Sequence, residues 1–356
     1  MYKKKALFVP DWRNGNPYLD LLSQSVASSG YVIVYANYPR GMFKLFKLAR
    51  KNQGLRAMHV HWIGGLVRDL LWSSSVWSFR FKLILFALDI VACRSMGIKI
   101  VWTIHNLVEH ESPDPKRELV FRRWFFNLSS SVIVHSQEAL ARVRSAYVVN
   151  RAKNVFVIPH GNYLSVYPVP ADDGRTLAED LGLTVADTVL LFFGAIRKYK
   201  GLETLVRQLL ASAKLKHVRL VIAGRVGDEQ LASWIAAQAV NDHRIIPRFG
   251  FISDDQLAAY FCISDIVVLP FERTLSSGSV VLAMTMGKAL LLPAEAAVLG
   301  VPGAEGAYYY RNATELTAIL SRLNKAELSE RGDFNLRLAK RADWKGIGLQ
   351  TARCYE

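Results

Sequence analysis

Two basic side chains lie in a short turn where an apolar run passes into a helix-like segment. The segment is LLFFGAIRKYKGLETL, in which Gly194 ends the apolar run and Gly201 precedes the helix-like stretch. This spacing predicts that Arg197 and Lys200 lie at the carboxyl end of a strand, beside a helix N-terminus whose backbone N–H groups favour an anion. A planar guanidinium and a compact ammonium together suit a diphosphate. Two solvent-exposed cations without a ligand are the alternative interpretation.

A second strand-to-helix turn, in FERTLSSGSVV, has two serines and a glycine where the helix should begin. Ser276 or Ser277 can cap the helix N-terminus, and Gly278 lets a ligand approach the backbone closely. The turn follows IVVLPF, a later strand of the same predicted sheet, so it should lie at the same edge as the basic turn. The two turns together predict one anion site, although a serine cap without a ligand explains the second turn equally well.

The elements that position these turns follow an alternating pattern. Short β-branched runs alternate with helical segments along the chain, which predicts parallel sheets covered by helices. We therefore predict an α/β protein with two Rossmann-like doubly wound domains facing a cleft, with ligands at the carboxyl ends of the strands. The predicted parts are an N-terminal domain over 1–162, a linker over 163–175, a second domain over 176–335, and a helical tail over 336–356 that packs back toward the first domain.

The composition is that of a globular protein in a reducing compartment. Of the 356 residues, 51% are hydrophobic and 21% charged, which excludes general disorder. The three cysteines are far apart and form neither a disulfide framework nor a zinc-site spacing, which favours a cytoplasmic setting. No apolar run reaches the roughly 20 residues of a membrane span, so we expect any membrane contact to be peripheral.

The positive charge is concentrated in the first half of the chain. Residues 1–165 hold 23 Lys+Arg against 9 Asp+Glu, a net +14 out of the total +15. A one-sided basic surface predicts a polyanionic partner, either nucleic acid or the anionic inner face of a membrane. The segments MFKLFKLARK and VWSFRFKLILFALDIVACR mix aromatic and basic residues, as interfacial helices do, although their apolar faces also suit a core. A surface that only aids solubility is the third alternative.

Several segments follow one another in order along the chain: WTIHNLVEHE, VIVHSQ, VIPHGNY, FFGAIRKYKGLETL, LVIAG, FGFISDDQLAAYFCISDIVVLPF, SSGS and MGKALLLP. In this order they resemble the motifs of GT-B-fold glycosyltransferases, of the family 4-like group that includes bacterial exopolysaccharide and capsule assembly transferases. The resemblance covers nearly all of the chain. It implies transfer of a sugar from a nucleotide-diphosphate donor to a lipid-linked saccharide acceptor, at the inner face of the cell membrane.

The resemblance also implies roles for individual residues. Arg197 and Lys200 match the cationic pair that neutralises the donor diphosphate, and Phe251 and Ile252 match the region that faces the nucleotide base. The donor-binding candidates are Gly194, Arg197, Lys200, Phe251, Ile252, Ser276, Ser277, Gly278 and His160. The acceptor-binding candidates are Asn16, His61 and Asn106. For His61, one of two histidines on the same strand face in HVHW, a structural role is the alternative.

One departure from the family bears on mechanism. Many retaining members carry two glutamates at places that correspond here to Thr274 and Leu282, and both carboxylates are absent. Glu272 could replace one of them. Their loss favours an inverting enzyme over a retaining one, and an inverting enzyme needs one general base to deprotonate the acceptor hydroxyl. The catalytic candidates are Glu111 and Asp11 as base and His105 beside the donor sugar.

The sequence also leads to expectations about metals, cofactors and alternative functions. The sequence has no Asp-x-Asp triplet, so we expect no metal and no cofactor besides the nucleotide sugar. A non-hydrolysing sugar-nucleotide epimerase of the same fold is one alternative. A basic nucleic-acid-binding protein is another, but the chain lacks base-stacking and recognition motifs, so we expect no nucleic-acid partner.

Overall fold

The chain forms two compact units, each built on its own sheet of six parallel strands. One unit comprises Met1–Gly161 with Asp343–Glu356, and the other comprises Asn162–Ala342. The predicted α/β fold with two doubly wound sheets is confirmed. The computed structural model describes residues 4–14, 17–71, 75–109, 111–147, 154–168, 172, 174–271, 275–299 and 303–356.

The first unit has its strands in the order β2-β1-β3-β4-β5-β6. These strands are β1 (Lys4–Val9), β2 (Tyr31–Tyr35), β3 (Leu55–Val60), β4 (Lys99–Thr103), β5 (Ser131–Val134) and β6 (Val155–Val157). Its first helices are α1 (Pro17–Ser28), α2 (Lys44–Lys51), α3 (Gly64–Leu71), α4 (Val76–Ser95), α5 (Pro115–Leu128) and α6 (Gln137–Tyr147). Because every neighbouring pair is parallel, the carboxyl ends of all six strands meet at one edge.

The second unit has the strand order β12-β11-β10-β7-β8-β9. Its strands are β7 (Thr188–Phe193), β8 (Val218–Gly224), β9 (Ile245–Phe249), β10 (Ile266–Val268), β11 (Ala289–Pro293) and β12 (Ala307–Tyr310). Its helices are α7 (Arg175–Asp180), α8 (Leu202–Ala211), α9 (Glu229–Asn241), α10 (Asp254–Ile263), α11 (Gly278–Thr285), α12 (Ala313–Leu320) and α13 (Lys325–Arg341). The central strand β7, TVLLFF, is buried along its whole length because helices cover both faces of the sheet.

The last helix, α14 (Trp344–Arg353), belongs to the core of the first unit. Its Ile347 and Ala352 pack in the same apolar cluster as residues of α1. Gly348 permits the close approach, since a Cβ there would lie 2.0 Å from the Ser25 hydroxyl. A larger residue at Gly348 would push α14 away from α1.

The tail starts later than the range 336–356 that we predict from sequence. Helix α13 runs without interruption to Arg341 within the second unit, so only Asp343–Glu356 join the first. The Asn162 side chain donates to the carbonyls of Ala339 and Ala342 at 3.1 and 3.0 Å, which fastens the start of the second unit to the end of α13. Four residues of the predicted linker, 169–171 and 173, lie outside the described residues.

Candidate functional site

The basic turn of the second unit lies at the carboxyl end of β7. Gly194, with φ 104°, ends the strand, and Gly201, with φ 70°, precedes α8, so both positions need the left-handed freedom of glycine. A Cβ at Gly201 would lie 2.0 Å from the carbonyl oxygen of Pro270, in the loop after β10. The turn therefore lies at the carboxyl end of a strand, as the sequence predicts, and it also packs tightly against the loop after a second strand.

Lys200 folds back over the end of β7. Its Nζ lies 3.0 Å from the place that a Cβ on Gly194 would occupy, and 6.0 Å from the centre of the Phe192 ring. Burial and, secondarily, the nearby Arg197 charge lower the pKa of Lys200 to about 8. Within the described residues no carboxylate forms an ion pair with Lys200. Two cations close together in a partly desolvated turn repel each other, and a bound anion would offset that repulsion.

Arg197 is positioned by the loop after β8. A Cβ on Gly227 would lie 2.9 Å from the Arg197 side chain, so the glycine provides the space that the guanidinium stem occupies. Its neighbour Lys198 points outward, with a side chain 65% exposed and 3.9 Å from Asp228. The turn thus contains two inward cations and one outward one.

The serine turn forms the N-terminus of α11. Ser277 is the N-cap and accepts a hydrogen bond from Val280 N at 3.3 Å, and Gly278 is the first helical residue. Ser277 therefore has the capping role of the alternative interpretation, while its hydroxyl proton remains available to a ligand. Leu282 lies on α11 and is only 5% exposed. A buried apolar side chain thus stands at a place where the family's retaining members carry a carboxylate. Glu272 and Thr274 lie outside the described residues.

The predicted base-facing segment follows β9. Phe251 is 67% exposed, and the Arg225 guanidinium lies 4.6 Å from the centre of its ring. Ile252 is half-buried beside it. An exposed aromatic ring supported by a guanidinium at a strand end is suited to stacking on a flat ligand. The role of both residues stays a prediction.

A cluster of histidines lies at the carboxyl ends of the strands of the first unit. The Tyr18 ring contacts four of them, with centroid distances of 4.7 to 6.1 Å. The cluster consists of His59, His61, His105, His135 and His160. Sequence analysis selects three of the five as site residues, considers His59 with the alternative of a structural role, and misses His135. The recurrence of a histidine at the end of a predicted strand, as in HVHW and VIVHS, is the signal that identifies all five.

Hydrogen bonding distinguishes a histidine whose two ring nitrogens both have partners from a histidine whose ring nitrogens have none. His59 is fully buried and bonds to Tyr355 Oη and Thr103 Oγ1, each at 2.7 Å, so its role is structural. His61 is 1% exposed, and neither of its ring nitrogens has a hydrogen-bond partner among the described residues. A buried polar group of this kind calls for a ligand or water. His61 therefore remains the acceptor-binding candidate that the sequence predicts.

The histidines are neutral at physiological pH. Burial lowers the pKa of all five, and takes the pKa of His59 and of His160 to about 3. Two of them donate a ring N–H to backbone carbonyls: His135 to Ile158 at 2.9 Å and His160 to Gly161 at 2.9 Å. A neutral imidazole can orient a sugar hydroxyl but adds no charge to the site.

An aromatic stack extends from His105 to the surface of the first unit. The Trp62 ring stacks on His105 with centroids 4.7 Å apart and an interplanar angle of 11°. Trp12 also stacks on Trp62, at 4.8 Å and 28°, and is 51% exposed. Sequence analysis misses both tryptophans, although each follows a predicted strand directly, in VPDW and HVHW.

The three candidate carboxylates of the first unit have different surroundings. Asp11 forms a two-pronged pair with Arg13 at 2.8 and 2.9 Å, which lowers the pKa of Asp11 and weakens it as a base. Glu111 is exposed. Glu109, which is absent from the sequence-based candidates, is half-buried, and burial and then Glu118 raise its pKa against the opposing effect of Arg122.

Of the two remaining acceptor-binding candidates, the structure describes Asn106 alone. The carbonyl of Asn106 accepts a hydrogen bond from Arg122 at 2.7 Å, which fixes the loop after β4 against α5. Asn16 lies outside the described residues. Among the residues that the structure describes, no group of three or more His, Cys, Asp or Glu side chains has an arrangement that could hold a metal ion.

Both units match models of sugar-transferring families. Residues 27–162 match the family "Glycosyltransferase Family 4", and residues 187–324 match "Glycosyl transferases group 1". A GDP-mannose:glycolipid 4-beta-D-mannosyltransferase of Xanthomonas campestris pv. campestris is 26% identical over 304 residues, covering 84% of this chain and 78% of the relative. A D-inositol 3-phosphate glycosyltransferase of Mycobacterium tuberculosis is 28% identical over 186 residues, covering 49% and 38%.

Solved structures share the fold over the full length. Sucrose-phosphate synthase of Thermosynechococcus elongatus superposes with a TM-score of 0.77 at 16% identity, covering 99% of this chain and 98% of that one. HepE of Anabaena, in complex with UDP and glucose, superposes with a TM-score of 0.74 at 15% identity, covering 99% of each chain. At these identities the likeness establishes the fold.

Proposed function

Because the chain is a family 4-like glycosyltransferase of the GT-B fold, we propose that it transfers a sugar from a UDP- or GDP-sugar to a lipid-linked saccharide during exopolysaccharide or capsule synthesis. The observation that carries the proposal is the position of Arg197 and Lys200 at the carboxyl end of β7. Among the described residues, no carboxylate forms an ion pair with Lys200. The printed name of the Xanthomonas relative, with its GDP-mannose donor and glycolipid acceptor, supports both substrate classes.

The proposed mechanism assigns the leaving group to the second unit. The diphosphate gains negative charge as the sugar departs, and Arg197, Lys200 and the Ser276–Gly278 turn stabilise that charge. Two fixed cations take the part that a divalent metal has in other transferases, so we propose that none is needed. Phe251 would stack on the nucleotide base.

The first unit supplies the acceptor side of the reaction. Inversion is supported by the buried Leu282 in place of a carboxylate, and by the β linkage in the relative's name, which is what inversion of an α-linked donor gives. His105 would lie beside the donor sugar, and a carboxylate of the first unit would deprotonate the acceptor hydroxyl. To the sequence-based candidates Glu111 and Asp11 we add Glu109, whose raised pKa suits a general base.

A nucleotide and sugar-nucleotide screen tests the proposed function. We expect one UDP- or GDP-sugar to raise the melting temperature by several degrees, because a ligand that binds only the native state stabilises it. With that donor and a lipid-linked saccharide, the product should have the opposite anomeric configuration to the donor, as read by NMR. Conversion of the donor alone to its epimer would identify an epimerase instead. Salt-sensitive binding of DNA or RNA in the absence of any donor effect would support the nucleic-acid alternative.

Membrane association is proposed from helix α4, which is apolar on two faces. One face is buried in the first unit and contains Phe79, Leu83, Phe86 and Ile90. The other is 50% to 76% exposed and contains Trp77, Phe81, Ile84, Leu88 and Val91. Spacings of four and three residues place the second set in one stripe along the helix. No helix in the described parts of the chain is long and apolar enough to cross a membrane.

Charges around the stripe indicate what would cover it. Asp89 of α4 accepts hydrogen bonds from Leu45 N and Phe46 N at 3.0 and 2.7 Å, which fixes α2 beside α4. Exposed cations on these helices and on α5 are Lys47, Arg50, Lys51, Arg80, Arg94 and Lys116. An apolar stripe among cations is complementary to an anionic bilayer surface. We therefore propose that α4 lies in the interface of the inner face of the cell membrane.

The double substitution Trp77→Ser/Phe81→Ser should weaken binding to vesicles of phosphatidylglycerol and phosphatidylcholine. We expect a loss of tenfold or more, because each side chain loses on the order of 1–2 kcal/mol of apolar transfer energy. Co-sedimentation measures the effect. Val240→Ser, at a position 86% exposed in the second unit, is the matched control and should bind as before. Equal binding by the double variant and the unaltered protein would contradict the α4 assignment.

A further inference from the structure

The first unit contains a basic pocket that none of the roles described so far uses. Its volume is about 520 Å³, which is in the range of sites for small organic ligands. Among the residues lining it are three cations, Arg40, Lys44 and Arg68, and two aromatic residues, Trp12 and Tyr38. None of its described lining residues is acidic. The pocket therefore combines positive charge with an aromatic wall.

Backbone contacts hold the ammonium of Lys44 and fix the main chain at Arg40. Lys44 Nζ donates to the carbonyl of Gly65 at 2.5 Å, and Lys47 Nζ donates to the carbonyl of Arg40 at 3.2 Å. Within the described part of the chain, neither the Arg40 nor the Arg68 guanidinium forms an ion pair with a carboxylate. Three like charges around one concavity repel each other, and a bound anion would relieve that repulsion.

The aromatic wall is fixed in place before any ligand binds. The Tyr38 hydroxyl donates to the carbonyl of Trp62 at 3.0 Å. Gly65 leaves room for the Tyr38 ring, since a Cβ there would lie 2.4 Å from it. Trp12 is stacked on Trp62, so both rings keep their positions without a ligand. A preformed site of this kind loses little conformational freedom on binding.

The wall connects the basic pocket to the predicted reaction centre. Trp12 borders the pocket and stacks on Trp62, which stacks on His105 at the end of β4. Successive rings are 4.8 and 4.7 Å apart, so His105 lies two ring spacings from the pocket wall. The apolar faces of sugar rings can lie on such a surface while their hydroxyls reach polar neighbours. A short saccharide can thus extend from the pocket toward His105.

We propose that the basic pocket binds the phosphoryl group through which the acceptor saccharide is joined to its carrier. This inference rests on the proposed function, because it assigns one end of the acceptor. Three cations match a phosphate or diphosphate, which carries two or more negative charges, whereas one arginine suffices for a sugar carboxylate. The phosphoryl group anchors in the pocket, the first sugars contact Trp12, and the outer sugar reaches His105.

Binding of glucose 1-phosphate tests the proposal directly. It is measured by calorimetry on the full chain, with a saturating nucleoside diphosphate present to occupy Arg197 and Lys200. The double variant Arg40→Gln/Arg68→Gln should bind glucose 1-phosphate at least tenfold more weakly. The matched control Arg56→Gln/Arg142→Gln removes two exposed cations outside the pocket and should retain the affinity. All four side chains are exposed, and melting temperatures check that both variants fold.

Two further arms identify which part of the ligand the basic pocket recognises. Uncharged methyl glucoside should bind both double variants equally, and Trp12→Ala should weaken the binding of both sugars. Equal affinity of the two double variants for glucose 1-phosphate would overturn the proposal. Selective loss of binding to phosphatidylglycerol vesicles by Arg40→Gln/Arg68→Gln, with glucose 1-phosphate binding retained, would also overturn it, because the pocket would then be a lipid headgroup site.

The failure of this inference can be told apart from the failure of the proposed function. The melting temperature of each variant is also measured with the donor selected by the nucleotide screen. A chain that is stabilised by the donor but shows no dependence of glucose 1-phosphate binding on Arg40 and Arg68 contradicts only the pocket assignment. A chain that no sugar nucleotide stabilises contradicts the proposed function, whatever the pocket binds.

Discussion

Lys200→Ala will reduce kcat/KM for sugar transfer by about 10²–10³-fold, the loss typical of removing one group that stabilises developing negative charge. The ammonium of Lys200 lies over the end of β7 beside Arg197, where the diphosphate charge grows as the sugar departs. Because the interaction strengthens in the transition state, kcat should fall as well as donor affinity. Steady-state kinetics with the donor selected by the nucleotide screen measure both.

The same residue predicts a pH dependence of donor binding. Burial and Arg197 lower the pKa of Lys200 to about 8 in the free protein, so its positive charge is complete well below pH 8, is half lost at that value and disappears above it. Donor affinity should therefore be constant below about pH 8 and fall above it, approaching tenfold per pH unit if the neutral amine binds poorly. Lys200→Arg should flatten this fall, because a guanidinium keeps its charge over the whole range.

Lys198 provides the matched control within the same turn. It has the same charge as Lys200 and is two residues away, but its side chain is 65% exposed and faces Asp228. Lys198→Ala should leave kcat/KM within about twofold of the unaltered protein, since exposed ion pairs of this length contribute little. Similar losses for Lys198→Ala and Lys200→Ala would show that the turn attracts the donor only through its general charge, and would contradict a specific contact by Lys200.

The basic turn could be predicted from the sequence because its geometry is local. Gly194 and Gly201 lie on either side of a six-residue segment between an apolar strand and an amphipathic helix, and both glycines have positive φ in the structure. Local rules are enough to place Arg197 and Lys200 at the end of β7. The same reasoning applies to Ser277, which caps α11 as the serine turn suggests.

The aromatic stack could not be predicted in the same way, because it depends on strand order. Trp12 follows β1 and Trp62 follows β3, and these strands are neighbours with Val9 paired to Val60. The order β2-β1-β3 brings the two loops together, although about 50 residues separate the tryptophans along the chain. The pattern of strands and helices predicts the fold class but does not specify which strands are adjacent.

Tertiary contacts decide which carboxylate is suited to act as general base, because they lower the pKa of one candidate and raise the pKa of another. Asp11 looks accessible in VPDWRNGNPY, but the structure pairs it with Arg13 and lowers its pKa. Glu109 looks no different from Glu111 in the sequence. Only the packing of α5 against the loop after β4 buries Glu109 near Glu118 and raises its pKa. Sequence analysis could propose a carboxylate in this loop, but it could not rank one above another.

Glu109→Gln should lower kcat by about 10²–10⁴-fold, the range expected for loss of a general base. Glu109 Oε1 lies 4.0 Å from the place that a Cβ on Gly64 would occupy, at the start of α3, so the carboxylate reaches the loop that carries His61 and Trp62. The amide keeps the shape of the side chain and its contact with Arg122. The comparison is made with Glu111→Gln and Asp11→Asn, each at saturating donor and acceptor, and the largest loss identifies the base.

The pH profile separates a general base from a structural partner of Arg122. A base must be ionised, so kcat/KM of the unaltered enzyme should rise with pH through the pKa of Glu109, which burial raises above its ordinary value of 4.5. In Glu109→Gln this acidic limb should disappear while the loss above pH 8 that Lys200 causes remains. If the limb persists in Glu109→Gln but disappears in Glu111→Gln or Asp11→Asn, the base is the residue whose substitution removes it. In that case the raised pKa of Glu109 reflects only its burial and its position next to Glu118, with the Arg122 charge shared between two carboxylates.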